Sequence, residues 1–189
     1  MDESQLVIVL IGLLDAGIAA FNANPFNAAR PLPAGLESVR AFQPRQQGAE
    51  IVPTIYVNHA GTKPIGFPKR TAKWDTSTLE MVNTQGNRYE STYHIEALIP
   101  QSPADPTAMT ESDVLNIARF ILQSDSTLAT LVPQNIGVLR VTELQANWIV
   151  DDKGQNENVP FFEVTFSHRL EFSSTVPTID VFETVFNRV

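Results

Sequence analysis

In VPFFEVTFSHRLEF, residues 159–172, Phe162, Val164, Phe166, His168, Leu170 and Phe172 alternate with Glu163, Thr165, Ser167, Arg169 and Glu171. Successive side chains of a strand point to opposite faces, so this period of two predicts a strand with one face buried and the other in water. RYESTYHIEALI, residues 88–99, reads the same way, with Tyr89, Ser91, Tyr93, Ile95, Ala97 and Ile99 opposed to Glu90, Thr92, His94 and Glu96. A β-branched and aromatic run, TIYVN at 54–58, adds a third strand. Shorter strands are expected at 136–142, 147–150 and 181–189, with the polar DDKGQNEN of 151–158 as a hairpin turn.

Helices flank these strands. Thr110 followed three residues later by Asp113 resembles a capping box, and Val114, Leu115, Ala118, Ile121 and Leu122 form an apolar stripe behind it. A shorter helix is expected at 126–132, ended by Pro133. Asp2, Glu3 and Ser4 precede the apolar LVIVLIGLLDAGIAAF of 6–21, which predicts a helix over about residues 4–22 whose acidic start favours the dipole. Asp15 interrupts that run and no basic residue precedes Arg30, so neither a membrane span nor an export signal is expected. Apolar all round at its start, with Gly12 and Ala16 as a small-residue face, this helix belongs in a core or at a subunit interface. Residues 22–53 hold five prolines and read as mostly irregular, with Leu36, Val39 and Phe42 at helix-compatible spacing. Helix, strands, helix, strands, without a βαβ series, gives an α+β fold: one domain over residues 1–189, an antiparallel or mixed sheet packed on helices.

The composition narrows the chemistry. A chain of 189 residues is one domain's worth, and 43% hydrophobic with 18% charged residues is the balance of a folded globule. A net charge of −8 argues against tight DNA binding. No cysteine is present, which removes disulfides, thiolate metal sites and cysteine nucleophiles. Phosphate-binding glycine loops, a nucleophile elbow and the zinc-protease helix motif are absent, so no catalytic residue, cofactor or metal is assigned. His94, Glu96 and Glu90 share one face of a strand and are the one set that could suggest a metal-dependent enzyme, although a solvated polar face explains them. His168 is expected as a buried neutral imidazole held by a backbone acceptor, with Ser167 pointing away from it. Asp151 and Asp152 read as turn residues.

Charge is unevenly spread: residues 43–88 carry six basic and three acidic side chains, the rest seven and eighteen. HAGTKPIGFPKRTAKW, residues 59–74, therefore reads as a projecting basic loop or a long bent hairpin on an acidic body. Lys63, Lys69, Arg70 and Lys73 become the candidate interaction residues, suited to the acidic face of a neighbour, including another copy of the chain.

Taken together, the apolar opening helix, TIYVNHAGTKPIGFPKR, RYESTYHIEALIP, TESDVLNIARFILQSD and VPFFEVTFSHRLEFSSTVPTIDVFE resemble the neck and tail-terminator (gateway) proteins of tailed bacteriophages over nearly the whole chain. The resemblance implies a subunit made in the host bacterial cytoplasm and placed in the virion neck, at the head–tail junction. It implies a ring, typically a hexamer, that ends the tail tube and meets a connector or collar protein. It also implies a channel through which genomic DNA passes without tight binding, and no catalysis or cofactor. A baseplate or other tail-completion subunit shares this class, and a small cytosolic metal-dependent enzyme is the reading from a different one. Residues 181–189 are expected to add a strand to a neighbour's sheet.

Overall fold

The computed structural model describes residues 2–41, 52–100, 105, 107–150 and 156–176, with backbone alone for 147–150 and 156–158. In chain order the elements are α1 (Glu3–Ala23), β1 (Glu37–Arg40), β2 (Thr54–Asp75), β3 (Glu80–Leu98), α2 (Glu111–Gln123), α3 (Asp125–Leu131), β4 (Gly137–Val141), β5 (Gln145–Val150) and β6 (Asn156–Val176). The strands form a single mixed sheet in the order β1-β2-β3-β6-β4, with β5 on β6 beyond β4. β1 runs parallel to β2 and every other pairing is antiparallel. The α+β fold with a mixed sheet is thus the one expected.

Local chemistry sets the helix starts. Asp2 accepts from the Gln5 backbone N–H at 2.8 Å and the Gln5 side chain accepts from Asp2 N–H at 3.1 Å, so α1 opens one residue earlier than the sequence suggested. The Thr110 and Asp113 box opens α2 as read, with the Asp113 carboxylate also 2.8 Å from Arg30. The Thr110 backbone N–H, then its hydroxyl and the Arg30 charge, hold that carboxyl below its ordinary range against a small burial penalty.

One face of the sheet carries the core. Ile55, Val57, Tyr93, Ile95, Phe162, Val164 and Phe166 lie beneath Leu6, Leu10, Leu14 and Ile18 of α1 and Val114, Leu115, Ala118 and Leu122 of α2, all buried. Burial holds the Tyr93 phenol above its usual range. By length and composition α1 could cross a membrane, but its buried side chains lie in this core, and the Asp15 carboxylate accepts the Ser38 backbone N–H at 3.0 Å. Close approach of α1 to α2 depends on Gly17, where an added Cβ would overlap the Ile121 side chain. The small-residue contact is therefore at Gly17; Gly12, suggested by the sequence, faces open space.

Three further expectations need correction. Residues 59–74 are not a loop: they continue β2 as one arm of a long hairpin with β3, the second of the two forms foreseen. Leu36 and Val39 are not on a helical turn, since 37–40 pair with β2 as a strand. Leu170 and Phe172 are not buried, because the helices end before them. Phe42, the 151–155 turn with Asp151 and Asp152, and the 181–189 strand lie outside the described residues.

Gly17→Ala is expected to lower stability by about 1–2 kcal/mol, the overpacking outweighing the gain in helix propensity, and trimming Ile121 to Val in the same chain should recover part of it. Thermal unfolding followed by circular dichroism checks both; an unchanged melting temperature for Gly17→Ala would show that the helices separate freely.

Candidate functional site

Beyond Ser91 and His168, where the run of alternating buried residues stops, β2, β3 and β6 continue together as a three-stranded arm. From Ser91 to Glu80 the arm is about 35 Å long at the usual strand rise. Its tip is the turn 76–79, where Asp75 Oδ1 accepts from Ser77 N–H at 2.9 Å and Ser77 Oγ at 2.6 Å, hydrogen bonds that lower the Asp75 pKa. Leu79 closes the turn exposed and in the left-handed region, φ 56°, an uncommon place for leucine.

Register assigns each arm residue to a face. Two irregularities interrupt β2: Ala60 is inserted between the His59↔Tyr93 and Gly61↔Thr92 pairs, and residues 66–68 face Asn87 alone between Ile65↔Arg88 and Lys69↔Gly86. Gly66, at φ 68°, supplies the left-handed residue that the second one needs. The face continuing the core carries Trp74, Met81 and Val176 in one cross-strand row and Arg70, Gln85 and Phe172 in another, with Leu170 between Phe172 and His168. Phe172 is 72% exposed and Leu170 45%, so this apolar face is bare. The opposite face carries Lys63, Lys69 and Lys73 among Asp75, Glu80, Glu90, Arg169 and Glu171.

The four candidate interaction residues therefore separate. Lys63 is bound within the subunit, 2.7 Å from Glu90 across the β2–β3 ladder. Lys69 and Arg70 make no ion pair among the described residues, and they lie on opposite faces, Arg70 in the cross-strand row of Phe172 with Gln85 between them. Lys73 neighbours Asp75 on the charged face. Sequence reasoning found the basic side chains and missed the apolar ones opposite them. The signal was available in the unbroken alternation through Leu170 and Phe172, read there as core.

A chain of polar contacts fixes the arm at its root. Glu3 Oε1 lies 3.1 Å from Arg40 and 3.4 Å from His59 Nδ1; His59 Nε2 meets Thr62 Oγ1 at 2.8 Å, which meets Ser91 Oγ at 2.7 Å, which meets His168 Nε2 at 2.8 Å. His168 is buried as expected, but its Nε2 partner is a hydroxyl from β3 in place of a backbone acceptor, and Tyr89 stacks on its ring. Glu90, His94 and Glu96 each have separate neighbours: Glu90 holds Lys63, His94 stacks on Phe161 at 3.9 Å, and Glu96 accepts from Asn58 at 2.8 Å. Among the described residues no three potential ligands converge on a metal position.

A helix-backed sheet that carries an amphipathic ribbon clear of its own core, with no metal cluster among the described residues, is the build of a structural subunit. The family described as E217 gateway protein gp29 matches residues 5–178, and the chain belongs to that family of phage gateway proteins, structural proteins of the virion neck. The family is a structural one and not a family of enzymes. No curated protein matches the chain.

Ser91→Ala removes the hydroxyl between Thr62 and the buried His168, and is expected to cost about 1–3 kcal/mol in urea unfolding. No loss would mean that the root of the arm is held by packing alone. Zinc or manganese ions should leave the melting temperature unchanged; a rise would revive a metal site at His94.

Proposed function

We propose that this neck protein is a ring-forming subunit that ends the tail tube and joins it to the head connector or collar around the DNA channel. The bare apolar face of the arm carries this reading. Trp74, Met81, Leu170 and Phe172 lie on a sheet face that elsewhere in the molecule is covered by helices, and a second protein is what remains to cover it. An arm that leaves the body at one end and docks on a different surface of the next copy makes a head-to-tail contact, and such contacts close into rings. Six copies is the number we favour, on the sequence resemblance.

Charge supports the same assignment. A net charge of −8 suits a wall past which DNA must slide, because phosphate-neutralising contacts would slow it. Lys69, Arg70 and Lys73 then dock the arm onto the acidic body of a neighbour, onto tail-tube protein or onto the connector, while Lys63 stabilises the arm itself. The subunit is made in the host bacterial cytoplasm and enters the neck by assembly.

The test is the mass in solution by light scattering, for the protein alone and with purified tail-tube protein. A ring in either condition is expected; a monomer that ignores tube ends would overturn the proposal. Changing Lys69→Glu and Arg70→Glu together should raise the concentration needed for assembly several-fold while shifting the subunit's melting temperature by less than about 2 °C. Unaltered assembly would remove these residues from the interface.

A further inference from the structure

The subunit has two apolar surfaces that do not meet within it. One is a groove of about 590 Å³ between the second half of α1 and the end of α2 with α3. Its lining includes the small exposed residues Ala16 and Ala20 and the ring of Phe120, which is 71% exposed, with Ser124 and Ser126 beside them. The other surface is the apolar face of the arm, where Phe172 borders two hollows of about 540 and 330 Å³. Ala72, Asn83 and Ser174 form a row of smaller side chains in the larger hollow, between the row of Phe172 and that of Trp74. Among the described residues none of the arm lines the groove, and none of the helices lines the hollows.

We infer that the groove between α1 and the α2–α3 pair receives the apolar face of the arm of a second copy of the chain. Shape favours that occupant. Phe172 is a bare ring flanked by hollows, and the groove offers small side chains where a ring can enter; Phe120 is a bare ring on the groove, and the row of Ala72, Asn83 and Ser174 leaves the recess for it. Rings seated in recesses from both sides fill a contact at the density of a protein interior. Charge favours it as well. Helices α1, α2 and α3 carry five acidic side chains and one basic, whereas residues 60–75, 80–91 and 168–176 of the arm carry six basic and four acidic. At the contact itself, Arg70 in the row of Phe172 and Asp125 between the lining residues Ser124 and Ser126 are both exposed, and neither makes an ion pair among the described residues. Each supplies the charge that the other lacks.

Because the two surfaces stand apart in one subunit, bringing them together takes two copies, each contributing a different patch. A contact of unlike patches is head-to-tail, and repeating it leaves every copy with one neighbour on its arm and another on its groove. One contact then covers both bare surfaces, whereas a protein of different sequence seated on the arm would leave Phe120 in water. This assignment deepens the neck-ring reading and rests on self-assembly.

The two halves of such a contact can be disabled separately. Phe172→Asp disables the arm and leaves the groove, and Phe120→Asp disables the groove and leaves the arm; both rings are exposed, so circular dichroism is expected to show an intact body. Assembly is followed by light scattering, in whichever condition the unaltered chain assembles, alone or with purified tail-tube protein. Either variant by itself is expected to need at least about tenfold more protein, as the loss of an aromatic anchor requires. In an equal mixture the groove of one variant still accepts the arm of the other and no further contact forms, so the expected product is a pair of unlike chains. A second test changes no apolar residue: Arg70→Asp should raise the concentration needed several-fold, and Asp125→Arg in the same chain should restore most of the loss. Aspartate variants that assemble like the unaltered chain, a mixture that behaves as the sum of its parts, or a charge swap without recovery overturn the inference and leave the ring reading in place. A loss confined to Phe172→Asp does the same, since it gives the arm to tail-tube protein or to the connector. An unaltered chain that stays monomeric in every condition overturns both.

Discussion

The alternation of β3 and β6 governs everything else in the molecule. Two strands about twenty residues long stay in register from Phe161↔Glu96 to Val176↔Met81, so the face that is apolar over the core remains the same face throughout the arm. Helices α1 and α2 cover only the first half. A strand cannot turn its apolar side to water at the point where its cover ends, because a change of face takes an inserted residue and neither β3 nor β6 has one against the other. The bare apolar row of the arm is the geometrical consequence of a core strand that continues past its core.

β2 solves the opposite problem. Counted by twos from Ile55 and Val57, its core-facing residues would go on to His59, Ala60's neighbour Gly61, Lys63 and Lys69, which would put lysines on the apolar side. The extra residue at Ala60 exchanges the faces, turning Thr62 toward Ser91 and Lys63 toward Glu90. The same exchange sets Arg70 and Trp74 on the apolar face and Lys69 and Lys73 on the charged one. The insertion stands where the strand leaves the helices, and the contacts from Glu3 to His168 gather around it. Bulge and polar chain together tie α1, β2, β3 and β6 at one level, so the arm is anchored by four elements.

That geometry also explains what was legible in the sequence. α2, β3 and β6 were readable because the signals are local: a capping box, an apolar stripe, an unbroken period of two. The far half of β2 was not, because glycines, prolines and lysines at 61–73 carry loop signals and the bulge hides the period. β1 was misread as helix-compatible since four residues hold too little of either period. Gly17 and the bareness of Phe172 depend on where α2 sits, and a contact between elements leaves no local trace in the chain. The basic residues of the candidate site were visible as composition; their division between two faces was not, for the same reason that the bulge was not.

An arm of this design must stay in solution with an apolar face in water. Trp74, Leu170 and Phe172 on one face would promote indiscriminate association if both edges of the ribbon also accepted strands. On β2 that pairing is discouraged by Pro64, Pro68, the three lysines and the two irregularities. The lysines act through their charge. Like charges meet when a second β2 edge approaches, which keeps that edge from pairing.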